Sequence, residues 1–76
     1  MQIKFMKQPL KFINRQDVPT RKRLVAAINN LPNGDIKKLQ GRDGYRLRVG
    51  NFRVIFDSNG QIVLIIRIDN RGQIYK

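Results

Sequence analysis

The sequence predicts a small α+β domain with the element order β-α-α-β-β-β(-β), in which two N-terminal helices pack on one face of a small, mainly antiparallel sheet. Two observations lead to this fold class. The C-terminal half alternates apolar and cationic residues, most clearly in "YRLRVGNFRVIF" at 45–56, as half-buried strands do. The N-terminal half instead has apolar residues at helical spacing, such as Leu24, Ile28 and Leu31. With 76 residues, the chain has room for one domain, 1–76.

The N-terminal half is expected to supply one strand and two helices. Residues 2–5 alternate polar and apolar side chains and indicate a first strand, and "LKFINR" at 10–15 predicts a short helix. Asp17 is a suitable N-cap for the second helix, and Pro19 fits its first turn. Pro32 ends that helix.

Residues 35–44 are predicted to be a connector, and the rest of the chain to be strands. The connector has three cations that we expect to be exposed, Lys37, Lys38 and Arg42. The predicted strands are Tyr45–Val49, Phe52–Phe56, Gln61–Ile68 and a short last strand at Gln73–Tyr75.

Gly50-Asn51 predicts a two-residue hairpin turn, because glycine tolerates the positive φ that a type II′ turn requires at its first central position. This turn sets a register in which Arg48 faces Arg53. One face of the hairpin is then the core face, with Tyr45, Leu47, Val49, Phe52, Val54 and Phe56. The other face carries Arg46, Arg48 and Arg53.

The facing of the next strand depends on the turn before it. A three-residue "SNG" loop at 58–60 would place four side chains on the core face, Ile62, Leu64, Ile66 and Ile68. Val63, Ile65 and Arg67 would then join Ile55 and the arginines on the opposite face. A two-residue Asn59-Gly60 turn would reverse this assignment.

The charge balance indicates a polyanionic partner. Sixteen Lys and Arg against five Asp give a net charge of +11. Such a charge attracts nucleic acid, although a merely soluble basic domain would also carry it.

The absence of His and Cys excludes a His-based triad, a histidine metal site, a thiolate zinc site and disulfides. The acidic residues are scattered, so we expect neither a metal nor another cofactor. Without cysteine, a secretory signal or a long apolar run, the expected location is the cytoplasm, with no membrane partner.

The predicted arginine face contradicts the usual rules for strand pairing. Like charges directly across two strands destabilise the pair, and no acidic residue is expected on this face. Ordinary solvent-facing charges would not require Arg48 opposite Arg53. We therefore interpret the face as an anion-binding surface, since guanidinium groups bind phosphate bidentately and keep their charge.

Two segments, "LQGRDGYRLRVGNFRVIF" and "IIRIDNRGQIYK", resemble the RelE/ParE superfamily of type II toxins. In its RelE branch, the resemblance implies a ribosome-dependent endoribonuclease that cuts mRNA by attack of a ribose 2′-oxygen, without a metal. It implies catalytic roles for Arg46, Arg48, Arg53, Arg71 and Tyr75. We expect Lys37, Lys38, Arg42 and Arg67 to add contacts with the nucleic acid.

The resemblance leaves alternatives open. The positions of Arg46 and Arg48 are lysines in the best-known RelE members, one of them proposed as the general base, and arginine does not readily give up its proton. A ParE-like inhibitor of gyrase and a non-catalytic RNA- or ribosome-binding module are the other readings. The expected partners are mRNA, the ribosome and a cognate acidic antitoxin. The antitoxin would dock on Ile55, Val63 and Ile65 beside the arginines, or else displace the C-terminal segment 71–75.

Overall fold

The structure, a computed structural model, describes residues 2–70. The described chain forms a five-stranded sheet in the order β1-β5-β4-β3-β2. The strands are β1 (Gln2–Phe5), β2 (Asp35–Lys38), β3 (Tyr45–Val49), β4 (Phe52–Ser58) and β5 (Ile62–Asn70). Strand β1 runs parallel to β5, and all the other neighbours are antiparallel. This confirms the predicted fold class. The last strand predicted, at Gln73–Tyr75, lies outside the described residues.

Strand β2 lies within residues 35–44, where the sequence predicts a connector instead. Its four residues, "DIKK", pair with β3 so that Ile36 lies opposite Leu47 and Lys37 lies opposite Arg46. The strand is short and has one apolar residue, so alternation alone gives little signal for it. Pairing with β3 is what makes it a strand, and it places Asp35 and Lys37 on the same face as the arginines.

The two helices are α1 (Lys7–Asn14) and α2 (Val18–Asn29). Helix α1 begins three residues before the predicted "LKFINR", and Pro9 is accommodated because the first turn of a helix needs no intrahelical N–H donor. Asp17 caps α2 as predicted, since its Oδ1 accepts a hydrogen bond from the Thr20 backbone N–H at 3.0 Å. Neither helix of the described chain is long and apolar enough to cross a membrane.

Both helices pack on one face of the sheet, α1 against β5 and α2 against β3. The core lies between these two layers. It consists of Ile13, Leu24, Ile28, Leu31, Leu47, Val54, Phe56, Val63, Ile65 and Ile68, with Ile3, Phe5, Phe12, Tyr45, Val49 and Phe52 packed against them. The other face of the sheet is left uncovered by either helix.

The β3–β4 hairpin has the predicted turn and register. Gly50 has a φ of 59°, and no residue other than glycine has a positive φ in the described chain. This combination is the one that a type II′ turn requires. Val49 therefore pairs with Phe52, and Arg48 pairs with Arg53.

The predicted facing of β5 is wrong before residue 66 and right after it. Ile55 pairs with Arg67 but Phe56 pairs with Ile65, so a β-bulge leaves Ile66 as the extra residue. Before the bulge, Val63 and Ile65 enter the core and Leu64 is exposed, which reverses the prediction. Ile62 shares the facing of Leu64 by alternation.

The turn between β4 and β5 explains the reversed facing. Asn59 N–H donates to the Ile62 carbonyl at 3.2 Å, and Asn59 Oδ1 accepts from the Gln61 and Ile62 N–H groups. The turn is therefore centred on Gly60 and Gln61, further along the chain than the predicted loop at 58–60. Because the side-chain period of a strand is two, this displacement moves Val63 to the core face.

Candidate functional site

The face of the sheet that the helices leave uncovered carries two cross-strand rows in which every side chain but Ile55 is charged. The ladder registers place Asp35, Arg48, Arg53 and Asp69 in one row, and Lys37, Arg46, Ile55 and Arg67 in the next. We call these eight residues the basic face. Their neighbours along each strand, such as Leu47, Val54 and Ile68, point to the core instead.

Arg48 and Arg53 form the centre of the first row. They follow the pair that closes the hairpin turn, so they occupy a non-hydrogen-bonded position, where opposing Cα atoms are about 4.5 Å apart. Arg48 is exposed, and it makes no ion pair with any residue that the structure describes. Its guanidinium group is therefore the one on this face most available to an anion from solution.

Two carboxylates also lie on the basic face, contrary to the expectation that it would have none. Asp69 is 16% exposed and accepts two hydrogen bonds from Arg53, from Nε to Oδ1 at 3.2 Å and from Nη2 to Oδ2 at 3.0 Å. Arg67 Nε lies 3.5 Å from the same Oδ2. At the other end of the row, Asp35 is mostly exposed and lies 3.8 Å from Arg46 Nη2. Arg53 and Arg67 are thus ion-paired, whereas the contact of Arg46 is long and solvated.

The sequence contains a signal for one of these carboxylates. Asp69 is two residues after Arg67, so alternation places both on one face once the strand is extended past Ile68. Asp35 had no such signal, because its strand, β2, could not be recognised.

Arg46 is the most enclosed cation of the second row. Its side chain is 15% exposed, and its Nε has no hydrogen-bond partner among the residues that the structure describes. A buried donor without an acceptor costs about 1–3 kcal/mol. Arg46 therefore carries positive charge on this face at a cost to the stability of the fold.

The structure brings together five of the predicted site residues and separates others. Lys37, Arg46, Arg48, Arg53 and Arg67 share the basic face. Lys38 alternates to the helix side of the sheet, opposite Tyr45, and Arg42 is exposed in the loop before β3. Arg71 and Tyr75 lie outside the described residues.

The basic face has no cluster of metal ligands. No group of three or more His, Cys, Asp or Glu residues that could hold a metal ion occurs within residues 2–70. The charged groups on this face are guanidinium and ammonium groups together with the carboxylates of Asp35 and Asp69.

Comparison with known proteins identifies the family. The family model described as "ParE toxin of type II toxin-antitoxin system, parDE" matches residues 3–75. The chain belongs to the RelE/ParE family of type II toxins. As such it is the toxin of a type II toxin–antitoxin system.

Individual members of the RelE/ParE family match over almost the whole chain. Toxin RelE3 of Methanocaldococcus jannaschii is 32% identical over 84 residues, which cover 99% of this chain and 96% of that one. The toxin in the crystal structure of the RelB–RelE antitoxin–toxin complex from Methanococcus jannaschii superposes with a TM-score of 0.75, at 32% identity, over 95% of this chain and 94% of that one. The archaeal RelE–RelB complex from Pyrococcus horikoshii OT3 also gives a TM-score of 0.75, over 95% and 96% of the two chains. At 24% identity, it shows the shared fold alone.

Proposed function

We propose that this toxin is an mRNA interferase, a ribosome-dependent endoribonuclease whose basic face holds the scissile phosphate. The observation that carries the proposal is the placement of Arg46 and Arg48 on an uncovered sheet face, the second of them exposed and without an ion-pair partner in the described chain. The likeness to a toxin named RelE3 over nearly the full length supports the same branch of the family.

The proposed reaction needs no metal. The ribose 2′-oxygen attacks the adjacent phosphorus, the bond from phosphorus to the 5′-oxygen breaks, and the products are a 2′,3′-cyclic phosphate and a 5′-hydroxyl. Negative charge grows on the non-bridging oxygens as the pentavalent state forms. Arg46 and Arg48 would stabilise that charge more than they stabilise the ground state, which lowers the barrier.

The 2′-hydroxyl proton must go to a group other than these arginines, and such a group must also supply the proton that turns the leaving 5′-oxygen into a hydroxyl. Arginine stays protonated in proteins, so it can stabilise charge but not act as a general base. The proposal therefore gives proton transfer to Tyr75 or to groups of the ribosome, and gives Arg71 a second charge-stabilising role. Tyr75 could also stack on a base.

We also propose that a cognate acidic antitoxin blocks the basic face. The Methanococcus jannaschii toxin, 32% identical to this chain, was crystallised as a RelB–RelE antitoxin–toxin complex, which supports a partner of this kind. The sequence predicts that Val63 and Ile65 form the apolar part of the docking surface. This is wrong, because both lie in the core. Ile55 does face the arginines, but it is only 5% exposed. The proposed contact with the basic face is therefore mainly between charged groups.

Inhibition of gyrase is the second candidate, because the family model that matches the chain carries the name of ParE. Incubation with translating ribosomes, followed by mapping of mRNA ends, separates the two candidates when it is run beside a gyrase supercoiling assay. New mRNA ends that depend on ribosomes, with normal supercoiling, are expected. Loss of supercoiling with intact mRNA would favour the ParE reading. If the protein changes neither but binds RNA, a non-catalytic binding module becomes the better account.

A further inference from the structure

Asp69 joins two arginines of the basic face into one ion-paired unit. It lies directly opposite Arg53 in the β4–β5 ladder, and Arg67 precedes it by two residues on the same strand. Arg53 donates to both of its carboxylate oxygens, at 3.2 and 3.0 Å, and Arg67 Nε lies 3.5 Å away. The Asp69 side chain is 16% exposed, so it is less exposed than either arginine that it contacts.

This unit fixes the direction of the Arg53 side chain. A carboxylate that accepts from both Nε and Nη2 holds the plane of a guanidinium group, whereas a single contact would leave it free to rotate. It also draws Arg53 towards β5, and hence away from Arg48, which opposes Arg53 on the other side. The repulsion that the sequence predicts between Arg48 and Arg53 is thereby reduced.

We propose that Asp69 is a positioning residue for RNA cleavage, which sets the spacing of Arg53 and Arg67 relative to Arg48 so that the guanidinium groups match the phosphate in the transition state. The inference rests on the proposed endoribonuclease function. Asp69 makes no contact with the reacting atoms in this account and acts only through the arginines. Asp69 is negatively charged, whereas the arginines that attract RNA are positively charged.

The sign of that charge separates positioning from simple attraction. Removal of a carboxylate from a phosphate-binding face strengthens the binding of RNA, because it raises the local positive potential. If the face served only to attract RNA, such a change would not slow the reaction. If Asp69 positions the arginines, the same change tightens binding but slows cleavage, since misplacement of a catalytic group by about 1 Å can cost about a hundredfold.

The experiment compares Asp69→Asn with Asp57→Asn. Asp57 is on β4, opposite Leu64 of β5, and lies on the same side of the sheet as the basic face. Its Oδ1 accepts a hydrogen bond from the Ser58 N–H, which the side-chain oxygen of asparagine can also do. Both variants remove one negative charge from this side. Each is measured for ribosome binding, for the single-turnover cleavage rate at saturating ribosomes, and for melting temperature.

The expected result for Asp69→Asn is ribosome binding as tight as or tighter than that of the wild type, with cleavage slower by about tenfold to a hundredfold. Asp57→Asn should tighten binding without slowing cleavage. Wild-type cleavage by Asp69→Asn, or an equal loss in both variants, would overturn the inference. If Asp69→Asn does not fold, Asp69→Glu decides. It keeps the charge but lengthens the side chain, so slower cleavage supports positioning and a wild-type rate contradicts it.

The two levels of the proposal fail in different ways. If the wild-type protein cuts no mRNA on ribosomes, the proposed function is wrong and this inference is withdrawn with it. If the wild type cuts and Asp69→Asn cuts equally well, only the role of Asp69 is wrong.

Discussion

On the helix-covered face of the sheet, side chains that oppose each other across strands are apolar, as with Leu47 and Val54 between β3 and β4. One residue along the same two strands, on the uncovered face, Arg48 opposes Arg53. Both pairs belong to one antiparallel ladder, with a hydrogen-bonded pair at Leu47–Val54 and a non-hydrogen-bonded pair at Arg48–Arg53, so the difference that bears on stability is one of side chains. The first arrangement lowers the free energy of the folded state through apolar burial, and the second raises it through repulsion.

Along each strand, side chains that stabilise the fold alternate with side chains that are available for function. Because successive side chains alternate between faces, the core can hold the register while the other face carries charges that a stable fold would not require. Asp69 reduces the repulsion between Arg48 and Arg53 on the basic face by pairing with Arg53. The two faces should therefore respond to substitution in different ways, and the differences can be ordered by their size.

The largest expected effect is on the core face, at Ile65. We expect Ile65→Ala to lower the free energy of unfolding by about 3 kcal/mol, because this side chain is fully buried and its truncation leaves a cavity. Leu64→Ala, one residue earlier and 36% exposed, should cost less than about 1 kcal/mol. Chemical denaturation measures both. A larger cost for Leu64→Ala would mean that β5 faces the way the sequence first predicts.

A smaller effect is expected at Arg53, on the basic face. If only the repulsion between Arg48 and Arg53 across the hairpin mattered, Arg53→Ala would leave the free energy of unfolding unchanged or slightly higher. The structure revises this, since Asp69 would lose both hydrogen bonds from Arg53 and, among the described residues, keep the longer contact with Arg67. After allowance for solvent screening, the expected cost is about 1 kcal/mol in free energy of unfolding. A gain in stability would show that the repulsion by Arg48 outweighs the ion pair.

The contrast between the hairpin and β5 also shows what could be predicted from the sequence. The facing of β3 and β4 was predictable, because Gly50 selects a tight turn and the turn fixes the register of every following pair. The facing of β5 was not, because the displaced turn at Gly60 and Gln61 and the bulge at Ile66 each change the register, and neither leaves a local pattern.

The site was predictable to a similar extent. Arg46, Arg48 and Arg53 share a face because of hairpin alternation alone. Lys37 joined them only through β2, a strand whose existence depends on tertiary pairing with β3. The ion pair between Arg53 and Asp69 required the β4–β5 register beyond the bulge, which only the three-dimensional structure supplies.

The smallest expected effect is away from both faces, at the N-cap of α2. Hydrogen bonds from the Thr20 side chain and backbone lower the pKa of Asp17 below its ordinary value of 3.8. A lowered pKa in the folded state means that the ionised cap stabilises the protein above pH 3.8, and that this contribution is lost as the pH falls through the lowered value. Asp17→Asn keeps a cap that does not titrate. Its stability relative to the wild type should therefore rise as the pH falls from 5 to 2, as thermal melts would show. A difference that does not vary with pH would contradict this account.

The central claim, that the basic face serves function rather than folding, is tested most directly at Arg48. Single-turnover mRNA cleavage on ribosomes should be measured for Arg48→Ala beside Arg15→Ala, which removes an exposed arginine after α1, with a melting curve for each. The account predicts that Arg48→Ala cleaves slower by about a hundredfold or more, the scale of one lost charge-stabilising donor. Its melting temperature should be equal to or slightly above that of the wild type, and Arg15→Ala should cleave normally. Cleavage at the wild-type rate, or a large fall in the melting temperature of Arg48→Ala, would contradict the account.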